Sequence, residues 1–142
     1  MEDFKPAPTC VIRFASIGDF SEFMSTLHPN DQDLVMTAIE SILRPYGKAL
    51  IDEGWLKDLG GELFEFRVGP TRRKIRRRTN QNLHNFFDAD LLVRIFCLFD
   101  AETEIVILHS YDKTIDRSRS TQKSEISIAR ELLLKTRSSL EF

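Results

Sequence analysis

Three apolar runs decide the fold of this chain: LFEFRV at Leu63–Val68, LLVRIFCLF at 91–99 and IVILHSY at 105–111. Each run is rich in β-branched or aromatic residues, which are favoured in β-strands. Only the short polar segment 100–103 separates the last two runs, and this spacing is typical of an antiparallel hairpin. The three runs therefore predict the centre of an antiparallel sheet.

The rest of the chain predicts elements that cover this sheet. Residues 10–14 form a short first strand, and apolar residues at helical spacing follow within 20–27. A second amphipathic helix is predicted from about 31 to 46, and a C-terminal helix from about 120 to 137. Residues 48–61 are interpreted as a connector because glycines punctuate them. The expected order is β-α-α-β-β-β-α: an α+β fold in which an N-terminal helical hairpin and a C-terminal helix pack on an antiparallel sheet of about four strands.

Composition limits the class of protein. The 142 residues, 42% of them hydrophobic, are expected to form one domain spanning 1–142. Cys10 and Cys97 are too few for a disulfide framework or a zinc site, so we expect free thiols in a reducing compartment. The first residues resemble no signal peptide, and no apolar run approaches the length of a membrane span. A cytoplasmic protein without a membrane partner is expected.

The charge is distributed unevenly. The net charge of -2 argues against a protein that is basic over its whole surface. Between residues 67 and 94, however, eight Lys or Arg face two acids. Positions 72–78 hold six of these cations: Arg72, Arg73, Lys74, Arg76, Arg77 and Arg78. This run lies in an insertion at about 69–90, and it predicts contact with the backbone of a polyanion, with RNA as the leading candidate.

Five further residues are candidates for chemistry on a phosphate. Arg67 and Arg94 lie within apolar strands, where a guanidinium can bind phosphate oxygens through two donors. His109, Tyr111 and Lys113 occupy alternate positions and so can share one face. A lysine can stabilise phosphate or a leaving group, a histidine can carry protons, and a tyrosine can bind phosphate or stack on a base. The alternative is structural: the arginines pair with nearby acids such as Glu65, and His109 and Tyr111 border the core.

Four stretches carry a resemblance to a known family. Residues 61–67 (GELFEFR) resemble the "G-L-aromatic-E-L-R" signature of RelE/HigB-type toxins, and 92–99 (LVRIFCLF) resemble their "Y-R-V-F-Y-F" strand. Residues 105–113 (IVILHSYDK) are similar to "I-V-L-L-H-G-F-x-K", and 122–129 to the closing "E-I-x-x-A" helix. The four occur in the family's order, and the resemblance covers roughly residues 49 to 137. Family members have a short turn where this chain has its basic insertion.

The resemblance implies a RelE-like fold and the toxin of a type II toxin–antitoxin system. Such toxins are endoribonucleases (mRNA interferases) that cleave mRNA, usually on the ribosome, and inhibit translation. They use no metal or cofactor: the ribose 2′-hydroxyl attacks the adjacent phosphate. The implied partners are mRNA, the ribosome and a cognate antitoxin, expected to be of the helix-turn-helix type. Arg67, Arg94, Lys113, His109 and Tyr111 would then be the catalytic residues.

Two other functions compete with this interpretation. The ParE branch of the same superfamily poisons DNA gyrase through protein contact, and predicts DNA breaks instead of mRNA cleavage. A non-catalytic nucleic-acid-binding regulatory module would depend on the basic insertion, and predicts that Arg94 and Lys113 tolerate substitution.

Overall fold

The structure is a computed structural model that describes residues 9–69 and 91–140. A π-helical turn (Ile39–Leu43) joins the second helix to the third, and a 3₁₀ turn (Gly47–Ile51) follows. The strands and α-helices are, in chain order, β1 (Val11–Phe14), α1 (Phe20–Ser25), α2 (Pro29–Ala38), α3 (Arg44–Tyr46), β2 (Leu56–Gly60), β3 (Leu63–Val68), β4 (Val93–Ala101), β5 (Glu104–Asp112) and α4 (Arg119–Leu140). The broad α+β class is confirmed.

The sheet differs from the prediction in strand number and direction. It has five strands in the order β1-β5-β4-β3-β2. β2, β3, β4 and β5 pair antiparallel with their neighbours, as predicted for the β4–β5 hairpin, but β1 pairs with β5 in parallel. The predictions of about four strands, of a wholly antiparallel sheet and of the RelE-like order β-α-α-β-β-β-α are therefore wrong. The parallel pair arises because the helices after β1 form a long crossover, which allows the first strand to lie beside the last.

The strand missed by sequence is β2, at one edge of the sheet. Lys57, Asp58 and Gly60 are exposed, and only Leu56 is buried. Edge strands commonly carry charged residues, which discourage pairing with other chains. The segment therefore lacks the apolar alternation by which strands are recognised.

Apolar clusters cover both faces of the sheet. On one face, Val35 and Ala38 of α2 pack with Phe66 and Ile95 of the central strands. The opposite face carries α4: its Ala129 and Leu133 belong to the same cluster as Phe96 and Leu108. The sheet is thus the middle of three layers.

The helical bounds differ from the predicted ones at the start of the second helix and at both ends of α4. The second helix begins at Pro29, not near 31, because His28 caps it: the Asn30 amide donates to His28 Nδ1 at 3.2 Å. The helical segment ends at Gly47 (φ 52°), which confirms the predicted stop. α4 extends beyond the predicted 120–137 at both ends.

Both cysteines are buried, and neither forms a disulfide. Full burial raises the pKa of the Cys97 thiol to about 12. Within residues 9–69 and 91–140, no helix combines the length and apolarity needed to cross a membrane. The basic run from Arg72 to Arg78 lies outside the described residues.

Candidate phosphate-binding site

A row of polar side chains crosses the three central strands on the α4 side. Arg67 of β3 lies directly opposite Arg94 of β4, and Arg94 lies opposite Tyr111 of β5. Directly opposed residues of antiparallel strands have Cβ atoms about 4.5–5.5 Å apart. The fold thus brings together three of the five predicted catalytic residues, which are 17 to 44 positions apart in the chain.

Two facing arginines repel each other, and Glu65 offsets this repulsion. Arg67 Nε donates to Glu65 Oε1 at 3.1 Å, although the Glu65 side chain is 0% exposed and that of Arg67 is 37% exposed. Burial lowers the pKa of Arg94; the positive charge of Arg67 adds to this effect, and the negative charge of Glu65 opposes it. Glu65 therefore holds Arg67 by a hydrogen bond and acts on Arg94 only through its charge, while an Arg94 guanidinium nitrogen donates to the Val93 carbonyl at 3.2 Å.

Lys113 follows directly after β5 and joins the same electrostatic cluster. Its backbone amide donates to the Leu92 carbonyl at 2.6 Å, which ties the end of β5 to the segment leading into β4. Partial burial lowers the pKa of Lys113, and the positive charges of Arg94 and Arg67 lower it further. Adjacent cations that lower one another's pKa in this way are stabilised when an anion binds between them.

Tyr111 ends the row as a protonated phenol. Burial raises its pKa, as does the negative charge of Glu65, so the group is an O–H donor at neutral pH. Its Oη is buried and has no hydrogen-bond partner among the described residues. A buried hydroxyl without a partner costs free energy, and a ligand that supplies one recovers that cost.

His109 lies on the same face but is held between two carboxylates. Its Nδ1 is 3.0 Å from Asp19 Oδ2, and its Nε2 is 2.5 Å from Glu125 Oε1. An ionised carboxylate only accepts hydrogen bonds, so both contacts are satisfied together when both ring nitrogens carry hydrogen. The side chain is only 6% exposed. His109 therefore joins α1 and α4 to the sheet instead of facing an open surface.

Phe96 connects His109 to the polar row. Its ring stacks on His109 and on Tyr111, with centroids 6.0 Å apart in both cases and interplanar angles of 10° and 7°. Phe96 is fully buried beneath α4. The stack fixes the plane of the Tyr111 ring and so the direction in which its hydroxyl points.

The turn before α1 brings Asp19 to His109. β1 ends at Phe14, the Ala15 amide donates to the Ile107 carbonyl at 2.9 Å, and Gly18 then passes close to the β5 backbone. A Cβ on Gly18 would lie 2.5 Å from the Leu108 carbonyl oxygen, so the approach requires glycine. Asp19 occupies the N-cap position of α1, but its side chain makes no capping hydrogen bond.

Sequence analysis missed the roles of three acids at this site. Glu65 was considered only as a partner of the arginines, although a carboxylate two residues before an arginine in an apolar strand was a usable signal. Nothing in the local sequence indicated a role for Asp19 or Glu125 at this site, because they are 90 and 16 residues from His109 in the chain. In the described part of the chain, no group of three or more His, Cys, Asp or Glu side chains is arranged to hold a metal ion.

Comparisons of the chain with protein-family models, with curated proteins and with solved structures find no match.

Proposed function

We propose that this protein is a metal-independent endoribonuclease of the type II toxin kind, which cleaves mRNA and so inhibits translation. The observation that carries the proposal is the row Arg67–Arg94–Tyr111 with Lys113 at its end, a set of donors gathered on one sheet face. The toxin role and its cytoplasmic location rest on the sequence resemblance. They are separate from the chemistry that the site supports.

The arrangement suits a phosphodiester better than a small neutral ligand. Two guanidinium groups on adjacent strands can bind the non-bridging oxygens of one phosphate. They also neutralise the additional negative charge of a pentacoordinate transition state. Glu65 positions Arg67 through a hydrogen bond before the phosphate arrives, and the Val93 carbonyl accepts a hydrogen bond from Arg94. Half-buried cations form stronger interactions than fully exposed ones because solvent screens them less.

Each residue has a role in the proposed reaction. The 2′-oxygen attacks phosphorus, the bond from phosphorus to the 5′-oxygen breaks, and the products are a 2′,3′-cyclic phosphate and a 5′-hydroxyl. Arg67 and Arg94 bind the phosphate, and Lys113 stabilises charge on the leaving oxygen. Tyr111 supplies the proton that the leaving oxygen takes up. His109 supports Tyr111 through Phe96, because both of its ring nitrogens already bond to carboxylates.

The proposed partners follow from the same role. The basic run Arg72–Arg78 would hold the backbone of mRNA or ribosomal RNA, with affinity that falls as salt rises. A cognate antitoxin of the helix-turn-helix type would neutralise the toxin. These partners are proposals from the sequence alone.

The test is induced expression of the wild type beside an Arg94→Ala/Lys113→Ala variant, with mapping of new mRNA 5′ ends. The matched control, Arg13→Ala/Lys48→Ala, also removes one arginine and one lysine, but from β1 and the 3₁₀ turn, where they pair with Glu104 and Glu102. We expect growth arrest with cuts inside translated frames for the wild type and the control. The site variant should lose both effects.

Other outcomes would redirect the proposal. Arrest with gyrase-dependent DNA breaks and intact mRNA would favour a ParE-like toxin. A site variant as active as the wild type, together with loss of RNA binding on deletion of residues 70–88, would favour a non-catalytic binding module. Cleavage of RNA by the purified protein in the presence of EDTA would support the metal-independent mechanism.

A further inference from the structure

Glu65 has one carboxylate oxygen without a partner in the centre of the site. The side chain is 0% exposed, and Oε1 accepts the 3.1 Å hydrogen bond from Arg67 Nε. Oε2 is also buried, and no described residue donates to it. Glu65 acts electrostatically on Arg94, Tyr111 and Lys113, so this oxygen lies among the groups proposed to bind phosphate.

The unpartnered oxygen restricts the chemistry of the ligand. An ionised carboxylate can only accept hydrogen bonds. A phosphate diester has no hydrogen to donate, so phosphate alone leaves Oε2 unsatisfied and adds a like charge near it. A ligand that matches the whole site must carry a donor next to its phosphate. In a nucleic acid that donor is the ribose 2′-hydroxyl, which RNA has and DNA lacks.

We infer that Glu65 accepts a hydrogen bond from the 2′-hydroxyl of the substrate and then takes its proton. Glu65 is thus the base of the reaction and the residue that selects RNA over DNA. This inference rests on the proposed function and deepens it. Arg67 and Arg94 are long side chains, and that of Arg67 is already 37% exposed. The inference requires that these side chains turn toward the phosphate and that Oε2 becomes accessible to the sugar.

The proton transfers balance with Tyr111. The proton of the 2′-hydroxyl passes to Glu65 Oε2 as the 2′-oxygen bonds to phosphorus. The Tyr111 hydroxyl gives its proton to the departing 5′-oxygen as that bond breaks. Glu65 is then protonated and Tyr111 is a phenolate, and a proton moves from the former to the latter through solvent. Neither step needs a metal, an oxidant or a second substrate.

The first experiment measures binding without cleavage. Ribonucleoside 3′-monophosphates carry a 2′-hydroxyl beside a phosphate but have no leaving nucleoside. Their affinities for the wild type, measured by calorimetry, are compared with those of the 2′-deoxy forms. We expect the ribose forms to bind roughly tenfold or more tightly, as a charge-assisted hydrogen bond predicts. The Glu65→Gln variant should lose most of this preference but still bind the phosphate.

The second experiment measures cleavage of an RNA oligonucleotide. Glu65→Gln keeps the shape of the side chain and an oxygen for Arg67. We therefore expect kcat to fall about 10²- to 10⁴-fold with KM unchanged or lower. Glu104→Gln is the matched control: it removes a carboxylate of β5 that pairs with Arg13 of β1, and it should change none of these values. A purely structural role for Glu65 would instead raise KM through a displaced Arg67.

The outcomes separate this inference from the proposed function. Equal binding of ribose and deoxyribose forms by the wild type, or a Glu65→Gln variant that cleaves at the wild-type rate, overturns the inference. The proposed function survives that result if Arg94→Ala still abolishes cleavage. A third outcome is that the wild type cleaves no RNA but binds the ribose forms more tightly than the deoxy forms, and that Glu65→Gln loses this preference. The proposed activity is then refuted, but the contact between Glu65 and the 2′-hydroxyl is supported.

Discussion

Replacement of His109 by phenylalanine tests whether this residue joins secondary structure elements or carries protons. Phenylalanine keeps an aromatic ring against Phe96 but removes the bonds to Asp19 and Glu125. A buried hydrogen bond to a charged group contributes about 1.5–3 kcal/mol. Asp19 and Glu125 are 40% and 23% exposed, so solvent screening lowers this to about 1–2 kcal/mol each.

The expected loss of unfolding free energy is therefore about 2–4 kcal/mol, which lowers Tm by roughly 6–16 °C for a domain of this size. Urea and thermal unfolding followed by circular dichroism measure it. His28→Ala is the matched control: it removes an exposed histidine that caps α2 and should cost only about 1 kcal/mol. Adding Asp19→Asn and Glu125→Gln to His109→Phe should restore part of the loss, because two unpaired carboxylates no longer face an apolar ring.

RNA cleavage by the same variant, measured well below its Tm, decides the role of His109. We expect a rate within tenfold of the wild type, because Tyr111 and the arginines are unchanged. An unfolding free energy within 0.5 kcal/mol of the wild type would refute the structural role. A stable variant with more than a hundredfold slower cleavage would identify His109 as a proton-transfer group.

Three further predictions concern charge, thiols and the turn before α1. RNA affinity of the wild type should begin to fall at a pH below the usual range for lysine, because the lowered pKa of Lys113 makes it lose its charge early as the pH rises; Lys113→Arg should keep its affinity there, and identical pH profiles would contradict the assignment. A thiol reagent at pH 8 should label neither Cys10 nor Cys97 in the native protein and both after unfolding, since both are buried and the pKa of each thiol is raised. Gly18→Ala should cost about 1–3 kcal/mol in denaturant unfolding, because its methyl group would approach the Leu108 carbonyl to 2.5 Å; an unchanged midpoint would show that the turn relaxes.

Much of the secondary structure could be predicted from local sequence. Leu63–Val68 is a strand at its predicted bounds, and the β4–β5 hairpin follows from two apolar runs and a short polar link. Helical periodicity likewise predicted α2 and α4. These elements could be predicted because each buries one or both of its faces, and burial imposes a hydrophobic periodicity on the sequence. β2 was missed because an exposed edge strand is under no such constraint.

The site was predicted only in part. The residue types Arg67, Arg94, Tyr111 and Lys113 indicated phosphate chemistry, and alternation within a strand indicated which of them share a face. Their alignment in one row depends on the register between strands, which is decided by the packing of both sheet faces and not by any one strand.

The sequence by itself thus determined the α+β class, the central strands and the cationic character of the candidate site. Only the tertiary structure decided the fifth strand, the parallel pairing of β1 with β5, the enclosure of His109 by Asp19 and Glu125, and the full burial of Glu65. The physical reason is the separation along the chain over which each interaction acts. Periodicity and propensity act between near neighbours in the chain, whereas a buried ion pair or a strand pairing forms between residues that only the folded chain brings together.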